Sequence, residues 1–420
     1  MSFTNEENWM LGAFRALDLT NENGFLCGKI LGDLGADVIK VEKPGGDQAR
    51  NFGPFFKDQP DNEKSLYWFA YNNNKRGITL NLEEKTGRDI FCRLVKTADF
   101  VIESFPPGYL EGLGLGYEQL KQINPQVILT SISPFGQTGP YSHYQASDLI
   151  TMAMCGMMSL AGYPDRPPIR VSVPQSYMWT GMQAAAGTLL AHYYRGSTGK
   201  GQHVDVSAQA SMLCTLAHAP TFWDVNRVIP TREGPIMSGR SVTGAKMRTI
   251  YECKDGYINF IVYGGPAGRI TNKALTEWMN EEDMATDYLK NKDWSTFDIA
   301  TVTQEDIDQI ESPAAKFFKT KTKKEFFKEA IKRRMLGYPV ATAEEIFEDP
   351  QLTAREYWQK VEHPELGTEI TYPGGFCKFS DASCGIRRRA PLIGEHNEEI
   401  FEELGFNNED LRIMKQSGII

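Results

Sequence analysis

The sequence predicts an α/β protein, with a large domain built on a parallel sheet and a smaller domain of different character. Three observations carry this reading. From Ala13 to Ser133, short apolar strands alternate with amphipathic helices of crossover length. After about His218 that pattern gives way to loop-rich sequence and charged helices, and from about Tyr338 α/β-like sequence returns. At 420 residues, the chain is also longer than one simple core usually supports. These shifts divide it into residues 1–217 (large domain), 218–337 (small α+β domain) and 338–420 (a return to the large domain).

Ala13–Leu19 reads as a strand and Gly24–Leu34 as a helix closed by Gly35, where a left-handed backbone is cheap for glycine. Asp37–Glu42 is rich in β-branched residues and reads as the next strand, followed by Ile78–Leu82. A helix near Thr86–Thr97, a strand at Phe100–Glu103, a helix near Tyr117–Ile123 and a strand at Val127–Ser131 continue the series. Pro174 starts a helix running to about Arg195, since proline is tolerated in the first turn. A turn at Ser197–Gly201 leads to a strand at His203–Ser207. Thr249–Cys253 and Tyr257–Val262 form a hairpin about Lys254, Asp255 and Gly256. The lysine-rich run Lys316–Arg334 is one amphipathic helix, with Phe317, Phe318, Phe326, Phe327 and Ile331 as its buried stripe. Two short helices end the chain.

A net charge of −9 argues against nucleic acid as a main partner, because neutralising phosphates needs a basic surface. The opening Met1–Glu7 is acidic and lacks an apolar core, so it is not a secretory signal. No apolar run reaches the ~20 residues needed to span a bilayer. The seven cysteines are scattered and lack a CxxC, which fits reduced thiols in a cytoplasmic protein without a zinc site. No GxGxxG follows the first strand and no GxxxxGK[ST] occurs, which removes the main reasons to expect a dinucleotide or nucleoside triphosphate.

Six strings in order resemble the family III coenzyme A transferases, the group of formyl-CoA and carnitine-CoA transferases. They are LGDLGADVIKVEKPGGD at 31–47, NKRGITL at 74–80, ESFPPG at 103–108 with Gly114 and Leu115, FGQTGPY at 135–141, TGKGQHVDVS at 198–207, and RAPLIGEH at 389–396. The resemblance implies a Rossmann-like large domain built from both chain ends, a smaller domain between them, and an interlocked dimer. It also implies an acyl-CoA and an organic acid as substrates, with CoA held by Lys43, Lys75, Arg76, Leu80 and Phe105 and no metal. The family usually carries Asn where this chain has Ser104, and an Arg near Gly112.

In that family a catalytic Asp sits four residues before the glycine matched by Gly181, and here that position is Tyr177. An alignment with a two-residue gap puts Gln175 there instead. CoA exchange between acids runs through a mixed anhydride and an enzyme thioester, so it needs a carboxylate nucleophile. A phenol with a reference pKa of ~10 does not supply one. The expectation is therefore a non-nucleophilic subunit of a heteromer, similar to the two-subunit succinyl-CoA:benzylsuccinate CoA-transferase type, whose homologous sister chain carries the Asp. Two alternatives stay open: a self-sufficient transferase, isomerase or thioesterase using Asp148, and a non-enzymatic CoA-binding scaffold. Asp148 falls where the family keeps an acid near the acyl group, and it also reads as an N-cap of the following helix. Met152, Met154, Met157, Met158, Met178 and Met182 are read as an apolar wall or as plain core. Gly264 and Gly265 are read as a mobile loop or a turn.

Overall fold

A computed structural model describes residues 8–420 and divides the chain into two compact units. The opening Met1–Glu7, read above as no secretory signal, lies outside the described residues. Of the described residues, the first unit contains 8–157, 170–228 and 351–420, and the second contains 158–169 and 229–350. These cuts differ from the 218–337 reading: the helix His218–Asn226 stays with the first unit, and a short excursion at 158–169 joins the second.

Six strands make one parallel sheet: β1 (Arg15–Leu19), β2 (Asp37–Glu42), β3 (Lys75–Thr79), β4 (Phe100–Glu103), β5 (Ile128–Ser133) and β6 (His203–Ser207). Their order is β3-β2-β1-β4-β5-β6, and every pairing is parallel. The period-2 alternation of side chains sorts two cores. Ala16, Val38, Phe100, Ile102 and Ile128 face one side, against Cys27 and Leu31 of α1 (Phe25–Asp33) and Ala184, Ala185 and Ala191 of a later long helix. Leu17, Leu19, Ile39, Val41, Val101 and Leu129 face the other, against the helix Lys85–Val95 and the terminal helices Asn397–Glu403 and Asn408–Gln416. The C-terminal segment thus covers the sheet without adding a strand to it. Its own strands, Trp358–His363 and Thr368–Pro373, pair only with each other, as an antiparallel hairpin.

In the second unit the expected hairpin forms from Ile250–Cys253 and Gly256–Phe260, extended by Gly337–Pro339 into three strands. The lysine-rich run is not one helix. It is the end of Gln304–Phe318 and a new helix Lys323–Arg333, which Thr322 starts through a capping box with Glu325. Phe317, Phe318 and Phe326 are buried, but Phe327 and Ile331 are exposed, because the restart rotates the second helix relative to one continuous stripe. Gly264 is the N-cap of the helix Gly265–Glu281.

Candidate active site

Strand order reverses direction between β1 and β4, and in such sheets the ligand crevice lies beyond the carboxyl ends of the strands at that switch. A cavity of about 520 Å³ occupies this place, lined by the ends of β1, β2, β3 and β4 and the segments that follow them. Ser104 joins its two halves: the Asn21 amide donates to Ser104 Oγ (2.8 Å), and that hydroxyl donates to Asn21 Oδ1 (2.9 Å). The Phe105 amide donates to Glu103 Oε2 (2.7 Å), which fixes the turn after β4. The Phe105 ring packs on Tyr109 with centroids 4.6 Å apart, and the Tyr109 hydroxyl donates to Glu83.

Three residues expected at a CoA site meet in this groove: Lys43 exposed at its rim, with Leu80 and Phe105 in its wall. Lys75 and Arg76 do not join them. Both stand at the start of β3, away from the carboxyl edge. Lys75 is fully buried: its Nζ sits 2.8 Å from Asp18 Oδ2 and donates to the Phe25 carbonyl and Asn72 Oδ1. Burial pushes the Asp18 carboxyl up, but Lys75 and Lys40 outweigh it and hold it below the usual carboxylate range. Arg76 pairs with Asp37, Glu399 and Glu403 at the opposite edge of the sheet. The expectation that these two cations hold CoA is corrected by partners that the fold brings in from distant sequence.

Among the described residues, Lys43 is therefore the one cation lining the groove, against four acids: Glu22, Glu42, Asp47 and Glu83. Glu42 is neutralised by the buried Arg50, which donates to both of its carboxyl oxygens (2.7 and 2.8 Å). Glu22 and Asp47 are both pushed up chiefly by burial, Glu22 in part also by Asp47, and Asp47 by Glu42.

Tyr177 lies in the first turn of the long helix Ser176–Thr198, and Asp148 opens the helix Asp148–Met154. The Asp148 amide donates to the Tyr177 hydroxyl (3.0 Å). Asp148 Oδ1 accepts from the Gln175 amide (2.8 Å), the Ser176 amide (2.8 Å) and the Ser176 hydroxyl (2.9 Å). Asp148 thus caps the long helix from outside rather than the helix that it begins, where Ser147 is the N-cap. Burial, with the charges of Glu22 and Asp148, holds the Tyr177 phenol above its ordinary pKa, and so neutral. Tyr67 is raised by burial and by Tyr71, Glu22, Tyr177 and Asp148, which places all five groups in one electrostatic cluster. Of the methionines read as a wall, Met152 is buried, Met154 is exposed and Met182 lines a different cavity.

Sequence reasoning missed Glu22, Tyr67 and Tyr71. Glu22 carried a usable signal, since it follows the first strand directly, where a switch-point ligand is expected. The two tyrosines lie on the helix Leu66–Tyr71, which the sequence pattern did not expose.

The family described as CoA-transferase family III matches residues 13–397. The chain belongs to that family. It is 36% identical over 398 residues to the succinyl-CoA:(R)-benzylsuccinate CoA-transferase subunit BbsE of Thauera aromatica, covering 94% of each chain. It is 33% identical to a formyl-CoA:oxalate CoA-transferase of Streptomyces coelicolor, covering 98% of this chain and 99% of the relative. The crystal structure of a CAIB/BAIF family protein from Brucella suis superposes with a TM-score of 0.81 at 30% identity, covering 94% of this chain and all of the other. Among the described residues, no helix is long and apolar enough to cross a membrane.

Proposed function

We propose that this chain is the non-nucleophilic subunit of a heteromeric family III CoA-transferase that moves CoA from an acyl-CoA, such as succinyl-CoA, to an organic acid. The observation that carries this reading is Tyr177. At the position where the family resemblance expects the catalytic Asp stands a neutral phenol, engaged by the Asp148 amide. In the transfer, a carboxylate attacks the thioester carbonyl and the CoA thiolate leaves, forming a mixed anhydride. The thiolate then attacks the enzyme-derived carbonyl, releasing the donor acid and leaving an enzyme thioester. A phenyl ester at Tyr177 would not give that thioester, because sulfur would have to attack an arene carbon. A homologous sister chain, interlocked with this one, supplies the Asp. The word "subunit" in the benzylsuccinate relative's name supports such an assembly, and relatives acting with succinyl-CoA on mesaconate and on D-citramalate support the donor. In the groove of this chain, Lys43 meets a CoA phosphate while Leu80 and Phe105 pack on its apolar arm. Purifying the chain alone and with its sister tests the proposal: transfer is expected only from the pair, and robust transfer by the single chain contradicts it.

A second reading, a self-sufficient transferase or thioesterase, is favoured by one observation. Glu22 is a half-buried carboxyl with a raised pKa that lines the groove and acts on Tyr177. Asp148 serves this reading less well, because its Oδ1 already accepts three hydrogen bonds.

A further inference from the structure

The seven cysteines are scattered along the chain, and the fold brings two of them to one loop. Cys27, Cys155 and Cys253 are buried, whereas Cys377 is exposed and Cys384 partly buried. Both of the latter line a cavity of about 690 Å³ in the first unit. They lie in the stretch after the strand Thr368–Pro373, where residues 374–382 form neither helix nor strand. Three backbone hydrogen bonds tether its ends. The Gly374 amide donates to the Tyr357 carbonyl (2.7 Å), the Ser383 amide to the Asn8 carbonyl (3.0 Å) and the Gly385 amide to the Asp33 carbonyl (3.0 Å).

The two arms of the loop touch at Gly375 and Cys384. A Cβ on Gly375 would lie 2.3 Å from the Cys384 carbonyl oxygen and 3.0 Å from its sulfur, so only glycine permits this approach. Cys377 stands two residues further on, within ~7 Å of Gly375 even at full extension. A disulfide needs Cα atoms about 4.4–6.8 Å apart, a separation that this closure brings within reach. The surroundings of the Cys384 sulfur agree. Burial pushes its thiol up, the Cys377 amide pulls it down, the charge of Asp33 raises it, the Phe376 amide lowers it, and the charge of Cys377 raises it again. Cys377 thus acts on that sulfur through both its amide and its thiol. Cys214, exposed like Cys377, instead donates to the Ala210 carbonyl one turn before it (3.7 Å).

We propose that Cys377 and Cys384 are a reversible dithiol–disulfide pair, which closes the loop between them by exchange with a low-molecular-weight disulfide. Cys377, the exposed partner, loses its proton to solvent and its thiolate attacks one sulfur of the small disulfide. That S–S bond breaks, and the leaving thiolate takes up a proton. The Cys384 thiolate then attacks the Cys377 sulfur, the mixed disulfide breaks, and the second small thiol leaves. The two cysteines are oxidised by two electrons while the small disulfide is reduced to two thiols. The test equilibrates the full chain with oxidised and reduced glutathione until the exposed Cys214 is glutathionylated, then quenches with acid, alkylates and maps the peptides by mass. The expected product is a Cys377–Cys384 link that exceeds glutathione-bound Cys377 by about tenfold, because a neighbouring thiol outcompetes a dissolved one. Excess reduced glutathione should restore both thiols. Cys384→Ser should stop at glutathione-bound Cys377, Cys377→Ser should leave Cys384 unmodified, and Cys214→Ser should form the link as the wild type does. A wild type that keeps both cysteines as thiols, or carries glutathione on each separately, overturns the proposal.

Discussion

The two edges of the parallel sheet treat charge in opposite ways. At the amino edge, Arg15, Arg76, Asp37 and Glu403 are cross-paired at 2.6–2.8 Å, and Asp37 and Glu403 are held below the usual carboxylate range: burial raises them, but the arginines outweigh it. At the carboxyl edge, among the described residues, the groove is lined by one lysine and four acids, of which Glu42 is paired with Arg50, and Glu22, Asp47 and Glu103 are pushed up by burial. Saturated pairs tie elements together. Acids left with raised pKa values mark the edge where a ligand is to be met.

Breaking a pair behind the groove should have the largest effect. Lys75→Met leaves the buried Asp18 carboxylate with Lys40, 3.7 Å away, as its remaining cation and should cost about 3–5 kcal/mol in urea unfolding. A loss below ~1 kcal/mol would show that the pair is not structural.

Next comes Glu103, whose carboxyl is raised from 4.5 to about 7, chiefly by burial. Between those values the folded protein holds a proton that the unfolded chain has lost. The group's stabilising contribution is therefore full below pH 4.5 and is lost as pH rises through 7. Glu103→Gln, a mimic of the protonated form, should match the wild type near pH 4.5 and exceed it by up to ~3 kcal/mol at pH 8. Parallel stability curves for the two proteins across that range would contradict the assignment.

The smallest effect on folding belongs to the groove cation. Lys43→Glu should change stability by no more than ~0.5 kcal/mol yet weaken CoA binding about tenfold, read by calorimetry. Unchanged CoA affinity would remove Lys43 from the site.

The sequence pattern located four of the elements to the residue: Asp37–Glu42, Phe100–Glu103, Tyr117–Ile123 and His203–Ser207. It misplaced β3 by three residues, because the strand starts with Lys75 and Arg76 and nothing local shows that Asp18 awaits the first of them inside the sheet. Lys43, Leu80 and Phe105, named from the family resemblance, lie just beyond strand ends and line one groove. The site was not legible where long-range partners decide: Glu399, which captures Arg76, lies 323 residues further along the chain. Asp148 was read as an N-cap of the helix that follows it, but Ser147 holds that place; Asp148 instead accepts from the start of the long helix, a role set by tertiary packing and not by sequence adjacency.

The central claim, that this chain lacks its own acyl-accepting carboxylate because Tyr177 stands in that place, is tested most directly by borohydride trapping. The isolated protein is incubated with succinyl-CoA and borohydride, and peptides are mapped for reduced carboxyl groups. The account predicts no adduct on the wild type and an adduct at residue 177 in Tyr177→Asp. A reduced Glu22 or Asp148 in the wild-type chain would contradict it.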